Sequence, residues 1–487
     1  MVTWVARWAA ERPAHPAVAS GGRALSYGEL LDAARAGASV LARAGVEPGD
    51  RVLLAAPSAV EFVVAYLATH LAGATAVPVT PKLAAEQLEA VVALVRPTVF
   101  CAAQGSRAGA ASCHTLALAE LAGSVAADGA AAHRAPALDD AADVLLTSGT
   151  TGVPKGTLLT HRNVAAAARN INAFVGTDAS DVEVLALPLN HSFGLGRLRC
   201  QLVAGGTLVL VPGFMFPNRL FEALETWQAS GFSFVPAAWA LLRRLTGEGL
   251  ARFADRLRYI EIGSAPMPLE DKRLLVRLFP RTRLCMHYGL TEASRSAFIE
   301  FHASADRLDS VGRASPNVEL AVADGAGRLL GAGEVGALVV RGEHVSPASW
   351  TPHGPVVREG EWLDTGDVGR IDAGGYVHLL GRAGDVINVG GQKVAPVEVE
   401  EVLMRHPAVR EAACVGVPDP HGLVGLRVKA FLVRAQATPP SAEELEGFVR
   451  TRLEPYKIPV AYEWIDEIPK NELGKPRRHL LRSPGAP

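Results

Sequence analysis

The sequence has little cysteine: Cys101, Cys113, Cys200, Cys285 and Cys414 are the five in 487 residues, and no two form a CxxC pair. An odd, scattered set excludes a disulfide framework and a thiolate zinc site, and it fits a reducing compartment such as the cytoplasm. There is no excess of charge of either sign. Lys and Arg total 48, Asp and Glu 50, a net charge of −2, which excludes a broad electrostatic footprint for nucleic acid or an anionic membrane. No apolar run is long enough to span a bilayer. The stretch from Met1 to Ala19 carries Arg7, Glu11 and Arg12 where a signal peptide would need an apolar core. What remains is ordinary globular composition, 49% hydrophobic and 20% charged, with length enough for two or more domains.

The most informative stretch runs Leu145-Leu146-Thr147-Ser148-Gly149-Thr150-Thr151-Gly152-Val153-Pro154-Lys155-Gly156. Leu145 and Leu146 read as the end of a buried strand. Four hydroxyl side chains, three glycines, a proline and a lysine follow. Glycine reaches positive φ without steric penalty, so Gly149, Gly152 and Gly156 let successive amides turn inward and form an anion-binding concavity. The hydroxyls add donors and Lys155 adds a full positive charge. The loop is not a Walker A motif, which ends in Gly-Lys-Ser/Thr, because here Pro154 precedes the lysine.

Upstream, Ser26 to Glu29 reads as a capping box opening an apolar-striped helix that ends at Gly45. Strands are expected at Arg51–Ala55, Ala74–Val79 and Thr98–Ala102, with helices at 58–71 and 84–95 between them. That alternation implies parallel pairing with crossovers. The Ala/Gly/Ser-rich segment 104–136 reads as a variable connection. Downstream, strands are expected at Val184–Leu187, Phe232–Pro236, Tyr259–Gly263 and Leu284–Tyr288, each followed by a short loop. These describe one large doubly wound region with its loops at one rim. His191 lies just past a strand end, where such sheets place ligands, although a lone histidine there also reads as a satisfied structural one. Past Val335 the pattern changes to short strands with Gly-rich turns, a small β-rich subdomain ending near Asp367.

Together these motifs resemble the adenylate-forming superfamily of acyl-CoA ligases, luciferases and peptide-synthetase adenylation domains. The resemblance spans nearly the whole chain with the motifs in the family's order. It implies an α/β fold: a large N-terminal domain of doubly wound sheets with a small β subdomain, residues 1–381, and a small mobile α+β C-terminal domain, residues 382–487. Thr147, Ser148, Gly149, Thr150, Thr151, Gly152 and Lys155 would hold the polyphosphate of ATP, with Gly263, Ser264 and Ala265 beside the nucleotide. Tyr288 would stack on adenine, Thr291 would touch the α-phosphate, and Glu292 would help hold Mg²⁺, a cation that prefers carboxylate and phosphate oxygens. Asp367 would accept both ribose hydroxyls, and Arg382 would contact the ribose or phosphate side.

At the domain boundary the family's usual Asp or Lys is replaced by Gly384, which absorbs φ/ψ change cheaply. Gly390, Gly391 and Lys393 would line the pantetheine tunnel for coenzyme A. Lys475, in Pro469-Lys470-Asn471-Glu472-Leu473-Gly474-Lys475, matches the catalytic lysine that steadies charge developing on the acid and the phosphates.

The resemblance places the acyl pocket around His191, Phe193, Trp239 and Gly289. Those segments are apolar, so the acid is expected to be hydrophobic, medium- or long-chain or aryl, as in fatty acid metabolism. Acetate-specific relatives carry tryptophan where this chain has Gly289, so an open pocket is expected. Arg295 reads either as a surface residue or as one facing an acidic substrate. The implied activity is a carboxylic acid–CoA ligase. The alternatives are a stand-alone ligase that loads a phosphopantetheinyl carrier protein and a non-catalytic adenylate-binding protein.

Overall fold

The computed structural model describes residues 1–103, 113–123, 136–148, 154–419, 425–435, 439–470 and 476–482. Helix α1 (Tyr27–Arg43) opens with the expected capping box: the Glu29 amide donates to Ser26 Oγ at 3.3 Å and the Ser26 amide to Glu29 Oε2 at 2.8 Å. Strand β1 (Arg51–Ala55), helix α2 (Val60–Leu71) and strand β2 (Thr75–Val79) form a βαβ unit whose two strands pair in parallel, Val52 against Ala76. Every residue of α2 but Glu61 is buried, which explains its nearly all-apolar sequence.

Strand β3 (Ala141–Ser148) carries the chain to the hydroxyl-rich loop. The chain then returns antiparallel as strand β4 (Pro154–Thr160), with Leu146 opposite Gly156 and Ser148 opposite Pro154. Strands β3 and β4 are therefore the two arms of a hairpin. A strand beginning Pro-Lys-Gly was not expected, because proline cannot donate to a ladder, but Pro154 takes the first position of the strand, where that costs nothing. The expected role of Gly156 is corrected as well. A Cβ there would lie 2.7 Å from Trp350 Cβ and 2.9 Å from Val144 Cγ1, so this glycine makes room for packing and does not turn an amide inward.

Next come β5 (Val182–Leu185), α3 (Ser192–Ala204), β6 (Thr207–Leu210), β7 (Gly231–Phe234), α4 (Pro236–Thr246), β8 (Tyr259–Ile262) and β9 (Arg283–Tyr288). Strands β9, β8, β7, β5 and β6 lie side by side in that order, all parallel, in a nine-stranded sheet. The strands β1 to β4 belong to a separate eight-stranded sheet. Val52 and Leu54 of β1, Leu185 of β5 and Leu41, Phe62 and Leu198 of the helices share one core, so helices fill the space between the two sheets.

Strands β10 (Val335–Arg341), β11 (Leu363–Ile371) and β12 (Val377–Arg382) belong to the four-stranded antiparallel sheet of the β-rich subdomain. The C-terminal domain joins helix α5 (Pro396–Met404), strands β13 (Val409–Pro418) and β14 (Leu426–Arg434) and helix α6 (Ala442–Arg450) around its own core of Val399, Leu403, Cys414, Val428, Leu432, Leu445 and Val449. Its capping box at Ser441 and Glu444 forms as expected.

Candidate active site

Parallel pairing puts the C-terminal ends of β5, β7, β8 and β9 at one edge of the nine-stranded sheet. Strand β5 leads through α3 to β6 on one side, while β7 leads through α4 to β8 on the other. Adjacent strands whose crossovers leave in opposite directions open a crevice, the usual ligand site of such sheets. His191 follows β5 at the N-cap position of α3, half-buried. The turn before it is tight: the His191 amide donates to Pro188 O at 3.3 Å, and a Cβ at Gly194 would lie 2.3 Å from that same oxygen. Phe193 is buried, its ring edge-on to His287 at 4.6 Å between centroids. Gly263, Ser264 and Ala265 follow β8, and Ser264 holds φ +71, a left-handed conformation that a non-glycine residue rarely adopts.

Three of the sequence motifs meet at this edge. Tyr288, at the end of β9, donates its hydroxyl to Asp367 Oδ2 at 2.6 Å. Arg382 Nε lies 3.1 Å from Asp367 Oδ1, and Arg382 also donates to Thr365 O at 2.8 Å. Three residues spread over nearly a hundred positions thus form one cluster at the junction of β9, β11 and β12. Burial, and next the Asp367 carboxylate, push the Tyr288 hydroxyl up in pKa, so it stays protonated and donating.

Glu292 sits at the base of the hairpin that carries the hydroxyl-rich loop. Thr157 Oγ1, on β4, donates to Glu292 Oε1 at 3.3 Å, and the Ser346 amide donates to Glu292 O at 2.7 Å. Glu292 is half-buried and forms no ion pair among the described residues. A half-buried carboxylate with a hydroxyl neighbour and no cation of its own is a fitting ligand for a hard divalent ion completed by phosphate oxygens. No group of three or more His, Cys, Asp or Glu that could hold a metal by itself occurs among the described residues. Residues 149–153, with Gly149, Thr150, Thr151 and Gly152, and residues 471–475, with Lys475, lie outside the described residues. Thr147 and Ser148 end β3, and Lys155 is exposed on β4. Gly390 and Gly391, at φ +58 and +89, form the turn between Ile387–Val389 and Gln392–Val394 in the C-terminal domain, and exposed Lys393 lies on the second of these strands opposite Asn388.

Two expectations about the acyl side change. Arg295 is neither on the surface nor facing an open pocket: it is 3% exposed, and its guanidinium donates to Glu261 Oε1 (3.0 Å), Ser192 O (3.1 Å) and Phe193 O (3.0 Å). Gly289 does not simply leave the pocket open, because a Cβ there would lie 2.4 Å from the Arg295 amide nitrogen. The glycine is required by the tight return of the chain from Gly289 to Arg295. Trp239 is buried on α4, stacked on Phe234 at 5.8 Å.

Sequence reading missed the polar layer beneath this edge. Glu183 of β5, Ser233 of β7, Glu261 of β8 and His287 of β9 occupy one face of the sheet, against Arg197 and Gln201 of α3. Arg197 pairs with Glu183 at 2.6 Å and with Glu261 at 2.9 Å, all three fully buried. Burial would raise the Glu261 pKa, but Arg295, Arg197 and His287 outweigh it and hold the carboxyl well below the usual range. The one available signal was charge inside otherwise apolar strands, as in Tyr259-Ile260-Glu261-Ile262.

Residues 5–350 match the family model of the AMP-binding enzyme, and residues 398–475 match that of the AMP-binding enzyme C-terminal domain. The chain belongs to the AMP-binding enzyme family. It is 34% identical to a feruloyl-CoA synthase of Amycolatopsis sp, over 97% of this chain and 96% of that one. It also resembles o-succinylbenzoate CoA synthetase from Bacillus subtilis, solved with its acyl-adenylate intermediate (TM-score 0.87, 27% identity, 98% of this chain and 97% of that one). The same synthetase with ATP and magnesium ion gives a TM-score of 0.87 at 28% identity, covering 98% of each chain. With these relatives, the chain is an ATP-dependent, AMP-forming acid–CoA ligase.

Proposed function

We propose that this AMP-binding enzyme activates a carboxylic acid with an apolar, aryl-type body and transfers it to coenzyme A. The observation that carries the reading is the meeting of Tyr288, Asp367 and Arg382 at the sheet edge that also carries the packed rings of Phe193 and His287. Aromatic walls favour a flat acyl body, and the feruloyl-CoA synthase relative acts, by its name, on such an acid. In the first step an oxygen of the substrate carboxylate attacks the α-phosphorus of ATP and pyrophosphate leaves. In the second the thiol attacks the acyl carbon and AMP leaves.

The protein's contribution is positioning and charge stabilisation. Asp367 would take the ribose hydroxyls, with Tyr288 fixing one of its oxygens and Arg382 the other. Glu292, Thr291 and the hydroxyl-rich loop would surround the phosphates. Lys475 would enter from the C-terminal domain for the first step only. Bound magnesium would neutralise phosphate charge, and Glu292 is the residue that would hold it.

The test is pyrophosphate release from ATP with a panel of aryl, alkyl and dicarboxylic acids, followed by coenzyme A or a phosphopantetheinyl carrier protein as acceptor. Aryl acids with coenzyme A should give the highest kcat/KM. Preference for the carrier protein, or for dicarboxylates, would overturn the corresponding half of the proposal.

A further inference from the structure

The polar layer beneath this edge contains one ring nitrogen with no hydrogen-bond partner among the described residues. His287 is the residue before Tyr288, buried, with its side chain 6% exposed. Its ring meets the edge of Phe193 and lies directly over Gly263: a Cβ on Gly263 would fall 2.1 Å from both Nε2 and Cε1. Glycine at 263 is what lets the imidazole occupy the strand end at the crevice.

The two ring nitrogens face different surroundings. Nδ1 lies 2.8 Å from Glu261 Oε1, off the ideal line of its N–H, so the contact is electrostatic more than a straight hydrogen bond. Glu261 is fully buried and paired with both Arg295 and Arg197, so it is ionised and can only accept. A bare lone pair on Nδ1 at that distance would be repelled, so Nδ1 carries the hydrogen. Burial, with Arg295 and Arg197 nearby, keeps the imidazole neutral despite Glu261. Nε2 then presents a lone pair, and it makes no hydrogen bond among the described residues.

We propose that His287 Nε2 selects the acid by accepting a hydrogen bond from a hydroxyl on its acyl body. Glu261 fixes the tautomer, Arg295 and Arg197 fix Glu261, and Gly263 and Phe193 fix the ring. The substrate class narrows to hydroxylated acids. An acid without a hydroxyl leaves a desolvated acceptor unpaired, and a site built to bind a hydroxyl discriminates strongly against the analogue lacking it. A second carboxylate would face the Nε2 lone pair and, behind it, the Glu261 charge. This inference rests on the ligase reading above.

The experiment uses the full chain with ATP and magnesium chloride, and reads pyrophosphate release with matched pairs: 4-hydroxycinnamate and cinnamate, the hydroxybenzoates and benzoate, 3-hydroxyoctanoate and octanoate. Phthalate serves as the dicarboxylate. At least one hydroxy acid should exceed its partner in kcat/KM by about tenfold or more. His287→Leu should lower the ratio of kcat/KM for that acid to kcat/KM for its deoxy partner by about tenfold or more, and leave the KM for ATP unchanged. His287→Gln, whose side-chain carbonyl also accepts, should restore part of the preference. Thermal stabilisation by ATP reports folding of both variants independently of the acid. Deoxy acids turned over as well as their partners, a preference for phthalate, or a hydroxyl preference that survives His287→Leu would each overturn the proposal while leaving the ligase reading standing. No pyrophosphate with any acid would remove the ligase reading and this inference with it.

Discussion

Replacing Arg295 by methionine removes a charge and keeps most of the volume. Four features of its site set the magnitude. The guanidinium is buried, and it holds one carboxylate, Glu261, at 3.0 Å. The Ser192 and Phe193 carbonyls it also meets lie in the first turn of a helix, which already supplies them with amides. Glu261 keeps Arg197 at 2.9 Å, so it is not left wholly uncompensated. The cost should therefore fall below the full penalty of an orphaned buried charge, at about 2–4 kcal/mol. Glu261→Gln leaves two buried arginines short of a partner and should cost more, about 3–5 kcal/mol.

The two residues touch, so the double variant should fall short of the sum of the singles by about 1–3 kcal/mol. Urea unfolding followed by tryptophan fluorescence measures all three variants. Because Arg295 anchors the start of the helix that carries Phe193, KM for the acid should rise in Arg295→Met while KM for ATP holds. A variant within about 0.5 kcal/mol of the parent, or strictly additive effects, would refute the reasoning.

Lys475→Ala should slow adenylate formation by about 10²–10³-fold and thioester formation from preformed adenylate much less, and equal losses in both half-reactions would contradict a lysine used in one step only. Gly289→Ala places a methyl 2.4 Å from the Arg295 amide, so it should destabilise the protein by about 1–3 kcal/mol and depress turnover of every acid, as read by thermal melts and kcat/KM. His344 gives a pH dependence. It is buried, its neighbours Ser296 and Gly342 are uncharged, and burial lowers its pKa from 6.5 to about 4. The unfolded chain therefore takes up the proton first as pH falls. The His344 contribution to stability is complete above about pH 6.5 and is lost, by about 3 kcal/mol, as pH drops toward 4. Denaturation across that window should show the slope, and His344→Gln should flatten it.

Much of the scaffold was legible because its signals are local. The capping boxes at Ser26 and Ser441, the run Arg51–Ala55 and the strand Val335–Arg341 depend on neighbours a few residues away, and the structure keeps them within a residue or two. The motifs Thr147–Gly156 and Tyr288–Glu292 stood out for a different reason: hydroxyls, glycines and a carboxylate in short fixed spacings are what phosphate and a hard cation would require. The strand Pro154–Thr160 was not legible, because Pro154 and Gly156 carry loop-like local preferences and only pairing with Ala141–Ser148 overrides them.

By itself the sequence determined the alternation of strand and helix and the order of a large N-terminal and a small C-terminal domain, since each follows from side-chain periodicity or from contiguous residue types. Only the tertiary structure decided that Tyr288, Asp367 and Arg382 form one cluster, that Arg295 is an internal strut, and that His287 turns one nitrogen to Glu261 and leaves the other without a partner among the described residues. Those facts depend on which strands lie side by side. Strand order is set by the burial of whole faces against helices, and no short window of residues encodes it.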